Sequence, residues 1–148
     1  MSDPVPPSGL RGRGRPPTDS RTDRWQRRDW WGVYVNCPDP LALARFYAAV
    51  LGWPLWRPEE YDGESIALDA GEGVAYLAFQ RDEHYEPPAW PARSGSPRMV
   101  MHLDVEVTDL DTAVAHALEL GGRLAEDQPQ DDVRVLLDPV GNPFCLYA

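Results

Sequence analysis

The sequence predicts an α+β fold in which two βαβββ modules form a cleft of mixed β-sheet. Two observations carry this prediction: a strand-then-helix pattern occurs twice, and each helix is followed by strand-like apolar runs. Gly52 and Gly121, which end the two helices, are 69 positions apart, and so are Asp69 and Asp138 in the later hairpins. Solenoid repeats are usually ~20–50 residues long. The longer spacing therefore predicts two matched modules with a site where they meet.

Composition divides the chain into a tail, residues 1–29, and one domain, residues 30–148. The tail holds seven of the 14 arginines and five of the 16 prolines, and we expect it to be disordered. Its net charge is +3, whereas residues 30–148 carry −13. The acidic domain should repel nucleic acid, which leaves only the Arg-rich tail as a contact for nucleic acid or an acidic partner. A solubilising tail or an over-long start site explains the same composition.

Export and membrane signals are not evident in the sequence. No apolar h-region follows the charges of the tail, and no segment approaches the ~18 apolar residues of a membrane span. Cys37 and Cys145 are far apart and lack the spacing of a metal knuckle. These features predict a cytoplasmic protein with reduced thiols and no membrane partner.

Module one is predicted to occupy residues 31–80. A strand over about Gly32–Cys37 precedes Asp39, a good N-cap, and Pro40 suits the first helical position. Gly52 should end the helix. A short strand near Leu55–Arg57 follows, and then the runs SIALDA and VAYLAF form a hairpin.

A Pro-rich linker, residues 81–97, separates this unit from module two, residues 98–148. The second module opens with alternating apolar residues, namely Met99, Met101, Leu103, Val105 and Val107. Thr108 and Asp111 have the spacing of a capping box at the start of the second helix. Its predicted apolar stripe contains Leu110, Ala113, Val114, Ala117 and Leu118. The runs VRVLLD and PFCLY form the last hairpin. The helix of each module is thus predicted to cover one face of its sheet. The other face, which no helix of the same module covers, is predicted to line a cleft.

Three segments together resemble the vicinal oxygen chelate superfamily, specifically its glyoxalase-like and bleomycin-resistance-like domains. They are CPDPLALARFYAAVLGW, MHLDVEVTDLDTAVAHALELGGR and LLDPVGNPFCLY. The resemblance covers about residues 31–148. It implies the paired-module fold and a homodimer, but it does not imply one reaction, because this fold hosts lyases, isomerases, dioxygenases and drug-binding proteins.

The resemblance also implies a divalent metal held by one residue from the first and last strand of each module. The matching positions in this chain are Gly32, Tyr76, His102 and Cys145. Only His102 is an unambiguous ligand, since glycine has no ligand atom. A divalent metal is therefore a candidate cofactor, but the four matching positions do not provide a full set of ligands for it.

His102 is the candidate catalytic residue and the candidate metal ligand. Histidine is the residue type suited to proton transfer near neutrality, because a free imidazole titrates at a pH of ~6.5. Asp104 follows on the same strand face and could orient His102 or bind a cation. Cys145 is interpreted either as a buried thiol or as a nucleophile activated by His102.

Large aromatic residues predict a ligand pocket, because such pockets are mostly apolar with a few polar anchors. The predicted ligand-binding set contains Tyr76, His102, Asp104, Cys145, Trp53, Trp56 and Trp90. Three functions remain open. The first is metal-poor binding of a small organic molecule, the second a metal-dependent or His-assisted lyase or isomerase, and the third an adaptor that uses the Arg-rich tail.

Overall fold

The computed structural model describes residues 31–71 and 75–148, so the predicted tail lies outside the described residues. The first half contains β1 (Trp31–Cys37), α1 (Pro40–Leu51), a 3-10 turn (Pro58–Glu60), β2 (Ser65–Ala67) and β3 (Ala75–Arg81). The second half contains β4 (Asp104–Glu106), α2 (Leu110–Glu119), β5 (Arg123–Leu124), β6 (Val133–Leu137) and β7 (Pro143–Tyr147). The predicted α+β fold is confirmed. None of the helices within the described ranges has the length and apolar character needed to cross a membrane.

Two small mixed sheets form the scaffold, with strand orders β1-β3-β2 and β4-β7-β6-β5. In each sheet the first strand of the module pairs parallel with its last strand, β1 with β3 and β4 with β7. The remaining ladders are antiparallel. Because the first and last strands lie side by side in both modules, the residues that the repeat singles out are neighbours in space.

Helix α1 begins and ends where the sequence predicts. The Asp39 carboxylate accepts a 3.1 Å hydrogen bond from the Ala42 N–H and so caps the first turn. Gly52 ends the helix with φ of 70°, a left-handed conformation that glycine adopts without steric cost.

Helix α2 departs from the prediction at its start and along its apolar stripe. The N-cap is Asp109, whose carboxylate accepts from the Thr112 N–H at 2.8 Å, so the predicted capping box of Thr108 and Asp111 is wrong. The cap falls one residue later because Asp109 has the extended backbone that an N-cap requires. Leu118 is 42% exposed, so the buried stripe is narrower than its spacing predicts.

Two predicted strands are shorter than expected. Near Leu55–Arg57 only an isolated bridge from Leu55 to Leu68 forms. The strand predicted over residues 99–107 contracts to β4, and Met101 is 72% exposed. The cause is Pro143. The Cys145 N–H donates to the Leu103 carbonyl at 2.8 Å, and the next such donor along β7 would be residue 143, which as proline has no N–H.

The two modules share one core around α1. Tyr47 stacks on Phe79 of β3 with ring centroids 5.5 Å apart, and Phe46 packs edge-on against Phe144 of β7 at 5.8 Å. All four side chains are buried. Helix α1 therefore contacts both sheets and joins the modules through apolar packing.

Candidate functional site

The uncovered face of the first sheet carries aromatic side chains. Along β1, Val33 and Val35 pack against the core, so strand alternation turns Gly32 and Tyr34 to the opposite face. Tyr76 lies opposite Gly32 on β3, and its ring fills the space that a Cβ at Gly32 would need. The rings of Tyr34 and Tyr76 meet edge to face with centroids 6.1 Å apart. These two tyrosines form an aromatic platform on this face.

A cleft of about 220 Å³ adjoins that platform. Its apolar lining consists of Tyr34, Trp56, Tyr61, Ile66 and Ala67. Ligand pockets for drug-sized molecules usually have volumes of about 300–1,000 Å³. This cleft therefore fits a smaller molecule, or one ring of a larger one.

The polar lining of the cleft is formed by Arg57, Glu60 and Ser65. The Arg57 guanidinium lies 5.1 Å from the centroid of the Trp56 ring, within the range of a cation–π contact. It also pairs with Glu60 at 3.3 Å, and both charged side chains are more than half exposed. Arg57 has a φ of 43°, which is uncommon for a residue with a Cβ. The turn therefore holds a cation and an anion beside the aromatic rings.

The second sheet brings His102, Asp104 and Cys145 together. Asp104 lies opposite Cys145 in the parallel β4–β7 ladder, and His102 is two residues earlier. The His102 Nε2 atom lies 3.1 Å from the Asp104 carboxylate. One ligand-type atom from each of the three residues lies within 4.8 Å of the other two. This cluster, the His102–Asp104–Cys145 cluster, joins three of the predicted site residues.

The Cys145 thiol is not activated as a nucleophile by these neighbours. Burial raises its pKa to about 11, and the nearby negative charge of Asp104 adds to the increase. The thiol is therefore protonated at neutral pH unless a cation compensates the charge. Asp104 is placed to orient His102 by accepting its N–H, which suits His102 to hydrogen bonding or proton transfer.

The remaining predicted site residues lie in different places. Trp56 lines the cleft and Tyr76 belongs to the platform. Trp53 packs against the buried core. Trp90 donates its indole N–H to the Asp127 carbonyl at 3.1 Å and so attaches the linker to the loop after β5. Ligand binding by Trp53 and Trp90 stays a prediction.

Sequence reasoning did not select Tyr34, Arg57 or Glu60. Tyr34 had a usable signal, because it alternates with Val33 and Val35 on a strand that faces the core on one side only. Arg57 and Glu60 had no such signal in the sequence. A strand is predicted at Leu55–Arg57, but the structure has a left-handed residue, Arg57, followed by a 3-10 turn.

The metal positions implied by the resemblance are not matched in module one. Gly32 supplies no ligand atom, and the Tyr76 ring covers it. In module two, His102 and Cys145 are close together. Asp104, which is not one of the four implied positions, lies 3.1 Å from His102. The residues present therefore do not fit a four-ligand site shared between the modules.

Comparison with known proteins agrees with the fold described above. The family model of the glyoxalase-like domain matches residues 32–147, most of the chain. No curated protein matches the sequence. A glyoxalase/bleomycin resistance protein/dioxygenase family enzyme from Burkholderia phytofirmans PsJN has a similar structure. It is 23% identical, with a TM-score of 0.58, and the match covers 78% of this chain and 94% of that one.

Two further solved structures extend the comparison. A possible glyoxalase from Bacillus cereus is 10% identical with a TM-score of 0.59, covering 82% of this chain and 100% of that one. A glyoxalase-related enzyme from Fulvimarina pelagi is 18% identical with a TM-score of 0.55, and the match covers 82% of this chain and 88% of that one. At these identities the structures establish the fold alone. The family match, which spans both modules, identifies the chain as a member of the glyoxalase-like domain family.

Proposed function

We propose that this protein binds a small organic molecule with a flat apolar part in the cleft beside the Tyr34–Tyr76 platform. The observation that carries the proposal is the lining of the open cleft of about 220 Å³, to which Tyr34, Trp56 and Tyr61 contribute. Aromatic side chains supply large apolar contact area with few rotatable bonds, so they bind flat ligands at a low cost in side-chain entropy.

The polar lining of the cleft supports a ligand that also carries a charged or hydrogen-bonding group. Arg57 and Glu60 satisfy each other at 3.3 Å, and both are largely exposed. An exposed pair of this kind contributes little to stability, so a ligand carboxylate can replace Glu60 beside Arg57 at a small energetic cost. A bidentate carboxylate contact with Arg57 would fix the orientation of the ring on Trp56.

Thermal-shift screening of small aromatic acids and amines tests this proposal, because a ligand that binds only the folded state raises the melting temperature. Compounds that stabilise the wild type are then titrated against Trp56→Ala and Tyr34→Ala. We expect each substitution to weaken binding by tenfold or more. Leu118→Ala, on the outer helix α2, is the matched control and should leave affinity unchanged. Equal affinity of Trp56→Ala and wild type would place binding elsewhere.

A His-assisted lyase or isomerase activity is the second candidate, favoured by the 3.1 Å contact between His102 and Asp104. A carboxylate that orients the imidazole prepares it to take a proton from a carbon acid. Ligands from the screen would be incubated in deuterium oxide and followed by NMR. Exchange of a carbon-bound proton that is lost in His102→Gln and retained in His84→Gln supports this activity. Binding without proton exchange would contradict this activity and would leave ligand binding as the supported function.

A further inference from the structure

We propose that residues 24–28 of the N-terminal tail, with the sequence RWQRR, dock in the cleft beside the Tyr34–Tyr76 platform and compete there with the organic ligand. These residues lie outside the described part of the chain, so the proposal depends on their composition, on their distance along the chain from β1 and on the cleft itself. The docking needs no organic ligand. Its regulatory consequence, a cleft occupied by the protein's own tail, rests on the proposed ligand-binding function.

Charge is complementary between the docking segment and the stretch that borders the cleft. Residues 57–64 supply Arg57, Glu60 and Tyr61 to the lining, and they carry four acids and one base, a net charge of −3. The four exposed acidic residues are Glu59, Glu60, Asp62 and Glu64. Glu60 pairs with Arg57, and no other ion pair within residues 31–71 and 75–148 involves this stretch. Residues 24–28 contain three arginines and no acid, so their charge of +3 matches it.

The aromatic lining suits the one large side chain of the docking segment. Trp25 stands between arginines, and its indole is a flat ring of the kind that a cleft of about 220 Å³ can hold. Tyr34, which lines the cleft, is 50% exposed and so retains apolar surface for another ring to cover. Aromatic rings attract one another beyond the area that they bury. The segment therefore matches the cleft in both its apolar and its charged parts.

The length of chain between Trp25 and β1 is sufficient to reach the cleft. Trp25 precedes Trp31, the first residue of β1, by six residues. Ala67, in the cleft lining, lies two strands from β1 at the level of Tyr34, because both pair with Ala78. From Trp31 this is about 10 Å along the strand and about 10 Å across the sheet, or roughly 14 Å in all. Six extended residues span about 20 Å, which leaves length for a turn.

Covalent attachment makes a weak contact sufficient for docking. Exposed ion pairs are individually weak, and residues 24–28 form a short peptide. A short linker, however, holds its end at an effective concentration in the millimolar range. With an intrinsic Kd of about 1 mM, the segment then occupies the cleft about half of the time. A cleft ligand binds only the other half of the molecules, so its apparent affinity falls by about twofold.

A spin label on the tail measures the docking in the full chain without any ligand. Ser20→Cys carries the nitroxide, Cys145→Ser removes a partly buried thiol, and Cys37 is fully buried and escapes labelling. At low salt, the label should reduce the NMR peak intensities of the Trp56 indole and the Ser65 amide at least twofold relative to the reduced label. Sodium chloride at 1 M should restore most of the intensity, because it shortens the screening length to about 3 Å.

Substitutions in the tail separate docking from random encounter. Arg24→Gln/Arg27→Gln/Arg28→Gln keeps the length of the tail, so broadening from random contact persists while broadening from docking is lost. We expect peak intensity at the cleft to recover by at least half of the loss, and Trp25→Ala to have a similar effect. Equal broadening in the wild-type tail and the triple arginine variant would overturn the proposal.

Substitutions at the cleft test the complementary surface. Glu59→Gln/Glu64→Gln should reduce the broadening as the arginine variant does. Glu119→Gln/Glu126→Gln is the matched control, because it removes the same charge from exposed positions of module two. The control should retain the broadening of the wild type. An equal loss in the control would show a general attraction between the tail and the acidic domain, and the assignment to the cleft would then be wrong.

Ligands from the thermal-shift screen test the regulatory consequence. The triple arginine variant, whose tail no longer docks, should bind a cleft ligand about twofold or more tightly than the wild type does. Unchanged affinity in a protein whose tail docks by NMR would overturn the competition. Docking by NMR with no stabilising compound in the screen would support the tail contact and count against the proposed ligand-binding function only.

Discussion

The hydroxyl of Tyr47 donates a 2.8 Å hydrogen bond to the carboxylate of Asp138, 91 residues further along the chain. Tyr47 belongs to α1 of module one, and Asp138 begins the turn between β6 and β7 of module two. The same carboxylate also accepts from the N–H groups of Val140 and Asn142, at 3.0 and 2.9 Å. Since Asp138 is fully buried, these three donors replace the water it loses on folding. The contact joins the two modules through one satisfied polar group.

Tyr47→Phe should destabilise the fold by about 1–3 kcal/mol, because it removes one hydrogen-bond donor from a buried carboxylate. Urea denaturation measures the loss. Tyr85→Phe is the control, since the Tyr85 hydroxyl donates to the half-buried Val140 carbonyl and no charged group loses a partner. The control should cost less. An unfolding free energy of Tyr47→Phe equal to that of the wild type would mean that the contact does not stabilise the fold.

The pH dependence of stability should contain a contribution from Asp138. Burial raises the pKa of Asp138 above its usual 3.8, and the hydrogen bonds from Tyr47, Asn142 and Val140, that of Tyr47 foremost, offset only part of the increase. The folded state therefore holds this proton more tightly than the unfolded chain does. The stabilising contribution of protonated Asp138 is fully present at pH values below the pKa of the unfolded chain. It is lost as the pH rises through the pKa of the folded state.

Asp138→Asn removes this titration and provides the comparison. As the pH rises from 3 to 7, the unfolding free energy of the wild type should fall relative to that of Asp138→Asn. Parallel pH profiles of the two proteins would contradict the raised pKa. Asp69→Asn is the positional control, because Asp69 occupies the equivalent turn, 69 residues earlier, and is less buried.

Gly32→Ala should displace the Tyr76 ring, because an added Cβ would overlap the ring atoms. We expect a loss of about 1–3 kcal/mol, typical of overpacking, and weaker binding of any cleft ligand that also contacts the platform. In a Tyr76→Ala background the same glycine substitution should be nearly neutral. A double-mutant cycle in urea measures this coupling, and additive effects would show that the two residues act independently.

A homodimer is expected to cover the open edges of the sheets. Strands β1 and β4 lie at sheet edges, and beside β4 the side chains of Val100 and Met101 are 91% and 72% exposed. Exposed edges and adjacent apolar side chains favour pairing with another chain. Light scattering should give about twice the chain mass of 16.6 kDa. The double substitution Val100→Asp/Met101→Asp should shift the protein to monomer, whereas Leu118→Asp should not. A wild-type monomer at micromolar concentration would exclude the dimer.

Local chemistry was sufficient to determine the modules from the sequence. Asp39, Pro40 and Gly52 specify the ends of α1 because caps depend only on residues one helical turn apart. The repeat located the parallel neighbours of each sheet, and His102, Asp104 and Cys145 do lie together. The extent of β4 was not predicted, because it depends on Pro143, which lies in a strand some forty residues later.

The tertiary structure decided the features that depend on which modules and strands become neighbours. The sequence determined the fold class, the family and the two helices, since strand and helix periodicity and caps are local. Only packing of α1 against both sheets brought Tyr47 to Asp138, and only the left-handed turn at Arg57 placed a charged pair beside Trp56. Contacts between distant segments depend on side-chain packing and on backbone conformations that short-range pattern does not encode.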